Sequence, residues 1–282
     1  MNTSNITVYK ANKLIEASYS AITLQEQLLL LACIASSDPR TLTADTQVYL
    51  TASAFADLAD LNARGAYDDL QRAATRLFHR YVTIDNPDPE DPALAKTLTR
   101  WVSAIDYFPG QGRVRVYFSP RIIPYLAQLS EQFTKYKLRH VAKFRSLYGV
   151  RLYELLIQWQ STGEREIQID WLRKTFGLQD KYPRIDDLKR RVINPAIKDV
   201  NEHSNLWVKC GQRKMGRRIV AFQFQFGLKE SKEAQNAKVG IDGEKPRKLT
   251  RNEIARLARP GESWEQAEAR LRTTRTKPPP TK

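Results

Sequence analysis

The sequence predicts an α+β chain of two tandem winged-helix domains, pseudo-duplicated, followed by a basic C-terminal tail. Three observations predict it. The order short helix, tight turn, long helix, hairpin occurs twice. The segment Tyr67-Asp-Asp-Leu-Gln-Arg72 recurs 118 residues later as Ile185-Asp-Asp-Leu-Lys-Arg190, each time in the second helix of a helix–turn–helix. Positive charge is concentrated in the second copy and the segment after it. In a winged helix the long helix lies in the major groove of DNA, about 12 Å wide, and the hairpin straddles the backbone.

At 282 residues the chain exceeds one ordinary domain. Its formal charge of +15 points to a polyanionic partner, and the distribution narrows the choice. Residues 1–130, the first winged-helix domain, carry 12 Lys+Arg against 13 Asp+Glu. Residues 131–230, the second, carry 21 against 11 and are also rich in aromatic and aliphatic residues, so this block is a folded basic domain. Residues 231–282 carry 13 against 7 with little to build a core, and read as a basic flexible tail with candidate helices at 250–258 and 264–272. The cysteines, Cys33 and Cys210, lie far apart, which fits a reduced cytoplasmic compartment. The longest apolar run, Leu28–Ala35, is too short to span a bilayer, so a soluble protein with no membrane partner is expected.

In the first copy, Thr23-Leu-Gln-Glu26 has capping-box spacing and opens a helix to about Ser36. A strand at 47–50, a short helix at 51–59, a turn at 60–62 and a longer helix at 63–79 follow. The long helix places Ala66, Leu70, Ala73, Ala74 and Leu77 at helical spacing, with Asp68, Arg72, Arg76 and His79 opposite. Asp68 and Arg72 are spaced for an i,i+4 ion pair. Strands are expected at 81–85, 99–107 and 113–118. The first two are joined by the acidic, proline-rich loop Asn86–Pro92, read as this domain's wing and repelled by phosphate.

In the second copy, Leu147, Leu152, Leu155, Leu156 and Trp159 form a core stripe. A strand covers 166–169, and Asp170 is placed as N-cap of a helix at 171–176 that Gly177 ends. The long helix runs from 183 to 200, with a kink expected near Asn194 because Pro195 lacks a backbone donor. A hairpin pairs 206–210 with 219–226, and Val220, Phe222, Phe224 and Phe226 alternate with small or polar residues as in a half-buried strand.

The candidate DNA contacts follow from these faces. Ile185, Leu188, Val192, Ala196 and Val200 line one side of the long helix. Asp187, Arg191, Asn194 and Lys198 line the other, flanked by Arg184 and Arg190, while Lys189 must snorkel or reach a phosphate. Arginine suits guanine, asparagine adenine, and aspartate the amino group of cytosine. The wing Gly211–Arg218 carries Arg213, Lys214, Arg217 and Arg218 with no acid among them, so phosphate contact is expected. Each neutralised phosphate adds roughly −0.9 to the log–log salt slope. Arg72 and Arg76 are auxiliary candidates in the first domain.

Catalytic signals are missing. The sequence has no phosphate-binding Gly-rich loop, and His79, His140 and His203 are isolated from one another and from the cysteines. No catalytic residue, metal or cofactor is expected. Two rival readings stay open at this level: a dimeric winged-helix transcription repressor without initiator activity, and a DNA-processing enzyme.

Four segments resemble the initiator (Rep) family of theta-replicating, iteron-containing plasmids, the RepA, RepE and pi type. They are Asn12–Tyr19 with Leu24–Leu31, Tyr67–Phe78, Tyr136–Leu156 with its Ser146-Leu-Tyr-Gly-Val-Arg-Leu-Tyr-Glu-Leu-Leu156, and Leu188–Ile197. The resemblance covers about residues 8–228 and departs at the acidic loop and the long tail. It implies a plasmid-encoded protein whose monomers bind direct repeats (iterons) of double-stranded DNA at the origin and help to open it. It also implies a homodimer in equilibrium with monomer, formed mainly through the first domain, that represses its own gene at an inverted repeat. Host DnaA, DnaB helicase and chaperones are the partners implied. The first domain would then serve dimerisation and auxiliary DNA contact, the second the main sequence-specific binding.

Overall fold

A helix buried on every side organises the fold. In the computed structural model, which describes residues 6–19, 21–88, 90–127 and 133–229, the helix Leu147–Ile157 is buried from Gly149 to Ile157, including the charged Arg151 and Glu154. Such a helix needs cover from both directions in sequence, and it has it. The tail helices expected at 250–258 and 264–272 lie outside the described residues.

In chain order, β1 (Thr7–Ala11), α1 (Asn12–Glu16) and β2 (Ser18–Tyr19) precede α2 (Leu24–Ala35). The expected capping box is present: Thr23 Oγ1 accepts from Glu26 N–H at 3.3 Å, and Glu26 Oε2 accepts from Thr23 N–H at 3.2 Å. Next come β3 (Val48–Thr51), α3 (Ala52–Ala59) and α4 (Ala66–Phe78). Asp60, with φ of 52°, ends α3, and Gly65, with φ of 84°, precedes α4. The strands β4 (Tyr81–Asp85), β5 (Lys96–Arg100), β6 (Val102–Phe108) and β7 (Arg113–Phe118) follow, then α5 (Pro124–Ala127) and β8 (Phe133–Lys137).

The single strand expected at 99–107 is two strands. Fully buried Trp101 separates them and packs edge-on against Tyr19 at 4.7 Å. β5 pairs with β4 across the acidic loop, whereas β6 pairs with β7. The sheet β3-β7-β6 therefore makes the β6–β7 hairpin, with its tip at Pro109–Gly112, the wing of this repeat. The acidic loop belongs to an inserted hairpin and is not the wing.

The remaining elements are α6 (Leu147–Ile157), β9 (Glu164–Gln168), α7 (Ile169–Thr175), α8 (Ile185–Leu188), α9 (Asn194–His203), β10 (Leu206–Met215) and β11 (Arg218–Leu228). The helix α7 starts at Ile169, so Asp170 sits in its first turn rather than at the N-cap. Trp159, expected in the core, is 45% exposed, with Arg165 stacked on it at 5.5 Å. The sheet order β10-β11-β9 reproduces β3-β7-β6 read from the other end: first strand at one edge, last strand central, middle strand at the other edge. Both repeats are winged helices.

The strand β8 crosses the 130/131 division to pair with β1, Val8 opposite Tyr136 and Lys10 opposite Thr134. Beneath it, Lys10 Nζ lies 2.7 Å from Glu154 Oε1, with both side chains fully buried. Tyr136 OH donates to the same carboxylate oxygen at 2.6 Å. Arg151 donates to Ala17 O at 2.8 Å and lies 3.6 Å from the centre of the Tyr19 ring. The inserted hairpin is tied to the second repeat by Lys174–Asp85 at 2.6 Å, and Ser18 Oγ donates to Lys174 O at 2.8 Å.

Candidate nucleic-acid interface

The long helix of the second repeat runs without a break from α8 through α9, and its middle is a π turn, Lys189–Ile193. Asn194 N–H donates to Lys189 O, five residues back. The irregularity expected near Asn194 takes the form of this widened turn, just before Pro195, which lacks a backbone donor. Leu188, Val192, Ala196 and Val200 are fully buried. Arg184, Arg190, Arg191, Asn194 and Lys198 are exposed, and Asp187 and Lys189 are half-buried.

These side chains are engaged to different degrees. Arg190 pairs with Asp187 at 2.7 Å, which occupies the carboxylate expected to read cytosine. Lys198 lies 3.8 Å from Glu202. Arg191 leans over the Tyr182 ring at 6.0 Å. Among the described residues, Arg184 and Arg191 have no carboxylate partner. Lys189 lies near Cys210 of β10; burial pushes that thiol up to about 11, with Lys189 pulling the other way.

The hairpin is longer than expected. β10 and β11 stay paired as far as Met215↔Arg218, leaving only Gly216 and Arg217 at the turn, Gly216 with φ of 60°. Arg213 is thus a strand residue, and it has a partner: its Nε lies 2.9 Å from both carboxylate oxygens of Glu166 on β9. The expectation that no acid serves this cluster fails for Arg213, because strand pairing brings Glu166 over from 47 residues away. Lys214, Arg217 and Arg218 have no carboxylate partner among the described residues. A groove of about 640 Å³ separates this tip from the start of the long helix, lined by Arg173, Pro183 and Ile185 on one side and Arg213, Met215, Arg217 and Arg218 on the other.

Several residues that the sequence reading passed over hold these parts in place. Arg173 of α7 donates to the carbonyls of Lys181 (2.7 Å) and Tyr182 (2.6 Å), fixing the turn before α8, where Tyr182 has φ of 54°. Asp199 accepts from Arg145 N–H at 3.0 Å and Ser146 N–H at 2.7 Å, which locks α9 onto the start of α6; burial raises its carboxyl above the ordinary range against those two bonds. Gly149 leaves room for it, since a Cβ there would stand 2.8 Å from the carboxylate. Asn201 makes two hydrogen bonds to the Val208 backbone and so fixes the angle between helix and wing. The one signal for Asp199 in the sequence is a carboxylate beside the apolar stripe.

In the first repeat both candidate arginines are paired with acids, Arg72 at the surface and Arg76 against a buried carboxylate. Arg72 pairs with Asp69 rather than with Asp68. Arg76 Nε lies 2.8 Å from Glu26 Oε1, and Arg80 Nε lies 2.7 Å from Oε2 of the same fully buried carboxylate. Arg76 is therefore a structural ligand of the capping box of α2, sharing one carboxylate with Arg80. On the wing, Arg113 stacks on Tyr49 at 4.5 Å, and Arg115 pairs with Asp106 at 2.5 Å.

A protein-family description, Initiator Replication protein WH1, matches residues 7–157, and a companion, Initiator Rep protein WH2, matches residues 168–226. The chain belongs to the initiator replication protein family. A replication initiation protein of Escherichia coli is 30% identical to this initiator over 257 residues, covering 86% of the chain and 77% of the relative. The PI protein of Escherichia coli is 25% identical over 181 residues, covering 58% and 57%. The crystal structure of the Pi initiator protein in complex with iteron DNA shares the fold, with a TM-score of 0.67 at 20% identity over 82% of this initiator and 100% of that chain. Among the described residues there is no cluster of three or more potential metal ligands, and no helix long and apolar enough to cross a membrane.

Proposed function

We propose that this replication initiator binds direct repeats of double-stranded DNA at its origin, with the second winged helix as the main reading head and without catalysis of its own. The observation that carries the reading is one cationic surface built from two elements. Arg184, Arg190, Arg191, Asn194 and Lys198 face outward from the long helix, and Lys214, Arg217 and Arg218 stand across a groove from its start. The helix fits the major groove, where Arg191 and Asn194 can meet base edges, and the wing fits the adjacent phosphates. That the Pi protein was crystallised on iteron DNA supports the same partner.

The first repeat, over residues 1–130, then serves dimerisation and auxiliary DNA contact, with Arg72 as its candidate contact on α4. A dimer represses the gene at an inverted repeat, a monomer occupies the direct repeats, and DnaA, DnaB helicase and chaperones act on the assembled origin. Tandem occupancy stores bending energy of a few kcal/mol per site, which helps to unpair neighbouring AT-rich DNA. Footprinting of the purified protein on DNA upstream of its gene tests this. Evenly phased protection over repeated sequence is expected; protection of a lone palindrome, or Mg²⁺-dependent cleavage, would sink it.

A further inference from the structure

We propose that Met215 is a wedge that enters the narrow groove of duplex DNA and partly unstacks a base step beneath the wing; this rests on the DNA-binding reading above. Met215 is 70% exposed, more than any other large apolar residue among those described. Scattered exposed apolar residues are ordinary and need no explanation. Its position is what calls for one. β11 leaves β9 at Ala221↔Gln168, while β10 and β11 continue as a bare two-stranded hairpin to Met215↔Arg218. A register shift at Arg213/Lys214 re-aims the tip. Met215 is thus the last strand residue of an overhanging hairpin, with Lys214 before it and Arg217 and Arg218 just beyond.

Each of those cations suits a phosphate, and an apolar side chain among them does nothing for charge neutralisation. In the first wing the exposed ring of Tyr107 is tied by its hydroxyl to Thr75 at 2.9 Å. Met215 has no such tie. It faces the groove that holds Pro183 and Ile185 at the start of the reading helix, so DNA seated on that helix passes the tip. The minor groove, about 6 Å wide, admits a slim unbranched thioether, and methionine is among the side chains used to pry base steps and bend the duplex. A wedge at each repeat gives the initiator a local means of bending DNA that charge alone does not supply.

The test uses the full chain and a footprinted repeat carrying dyes at both ends to report bending. Met215→Ala is expected to bind the intact repeat about tenfold more weakly and to bend it less, while the slope of affinity against salt stays unchanged. The deficit should shrink to within about twofold on a repeat with one mismatch under the wing, because the unstacking is then already done. Met215→Leu should restore bending. If Met215→Ala bends the intact repeat as the wild type does, or loses the same factor on the mismatched repeat, the wedge is wrong while the DNA-binding reading stands. If the wild type fails to prefer the repeat over scrambled DNA, the underlying reading falls, and the wedge falls with it.

Discussion

The two long helices begin alike and end differently. Asp69–Arg72 on α4 and Asp187–Arg190 early in the second long helix are ion pairs at the same i,i+3 spacing, displaced by the 118 residues that separate the matching hexamers. After the shared start the buried positions part company. Beyond Leu70 they fall at Ala73, Ala74 and Leu77; beyond Leu188 they fall at Val192, Val192's neighbour Ile193, and Ala196. Over this stretch the second helix widens into the π turn at Lys189–Ile193, which the first helix lacks. Arg191 faces outward, whereas Ala73, the residue 118 positions earlier, is fully buried. The two repeats thus differ in their cations: those of the first long helix are all paired with acids, whereas Arg184 and Arg191 of the second face outward unpaired among the described residues.

The pairing in the first repeat predicts the largest effect. Glu26 is fully buried under two guanidiniums. Burial opposes its charge, but the hydrogen bonds from Arg80, Thr23 N–H and Arg76 outweigh burial and hold the carboxyl below its ordinary range. Glu26→Gln should destabilise the protein by roughly 1–3 kcal/mol, less than a fully enclosed pair because both arginines reach water. Since the folded-state value is depressed, the stabilisation is complete above the ordinary value of 4.5 and is lost as pH falls through the folded value. Urea midpoints for wild type and variant should therefore differ at pH 7 and converge in acid. A gap that stays constant down to pH 3 would remove Glu26 from this role.

Binding should separate the helices next. Arg191→Ala is expected to cost about 1–3 kcal/mol on the cognate repeat and less on scrambled DNA, as loss of a base contact does. Arg72→Ala, whose guanidinium is already paired, should change affinity by about twofold or less. Equal losses from both, measured by anisotropy at fixed salt, would show that the two helices read DNA alike.

The wings give a smaller contrast. Arg217→Ala should reduce the log–log salt slope by about 0.9 on any sequence. Arg115→Ala should leave the slope unchanged, because Asp106 and the rings of Tyr49 and Phe108 already hold that guanidinium. A sequence-selective loss from Arg217→Ala would convert it from a phosphate contact into a base contact.

What the sequence revealed and what it hid follow from the range of each interaction. The outward face of the second long helix was legible because helical periodicity is local, and the duplication because a hexamer and an element order repeat. Glu26 with Arg76 and Arg80, or Glu166 with Arg213, were not legible, since 47 to 54 residues separate the partners and only the fold brings them together. The first wing was misplaced for a related reason: proline and acid mark the inserted loop as a turn, while nothing local says that Trp101 breaks one strand into two different sheets. Asp199 and Asn201 were overlooked because a charged and an amide side chain on a helix read as solvated until their backbone partners are known.

The smallest effect concerns Pro195, and it separates two causes of the π turn. If the missing N–H of Pro195 makes the turn, Pro195→Ala restores an ordinary helix and shifts Arg191 relative to the bases it faces. If the packing of the core makes it, the turn persists, because Leu188, Val192, Ile193 and Ala196 are all buried around it. Burial of these apolar side chains is worth several kcal/mol, against about one for a backbone hydrogen bond. The core therefore wins, and Pro195→Ala should leave both affinity and sequence preference within about threefold of wild type. Loss of preference with an unchanged salt slope would instead make Pro195 the cause, and the divergence of the two helices would then rest on one proline rather than on core packing.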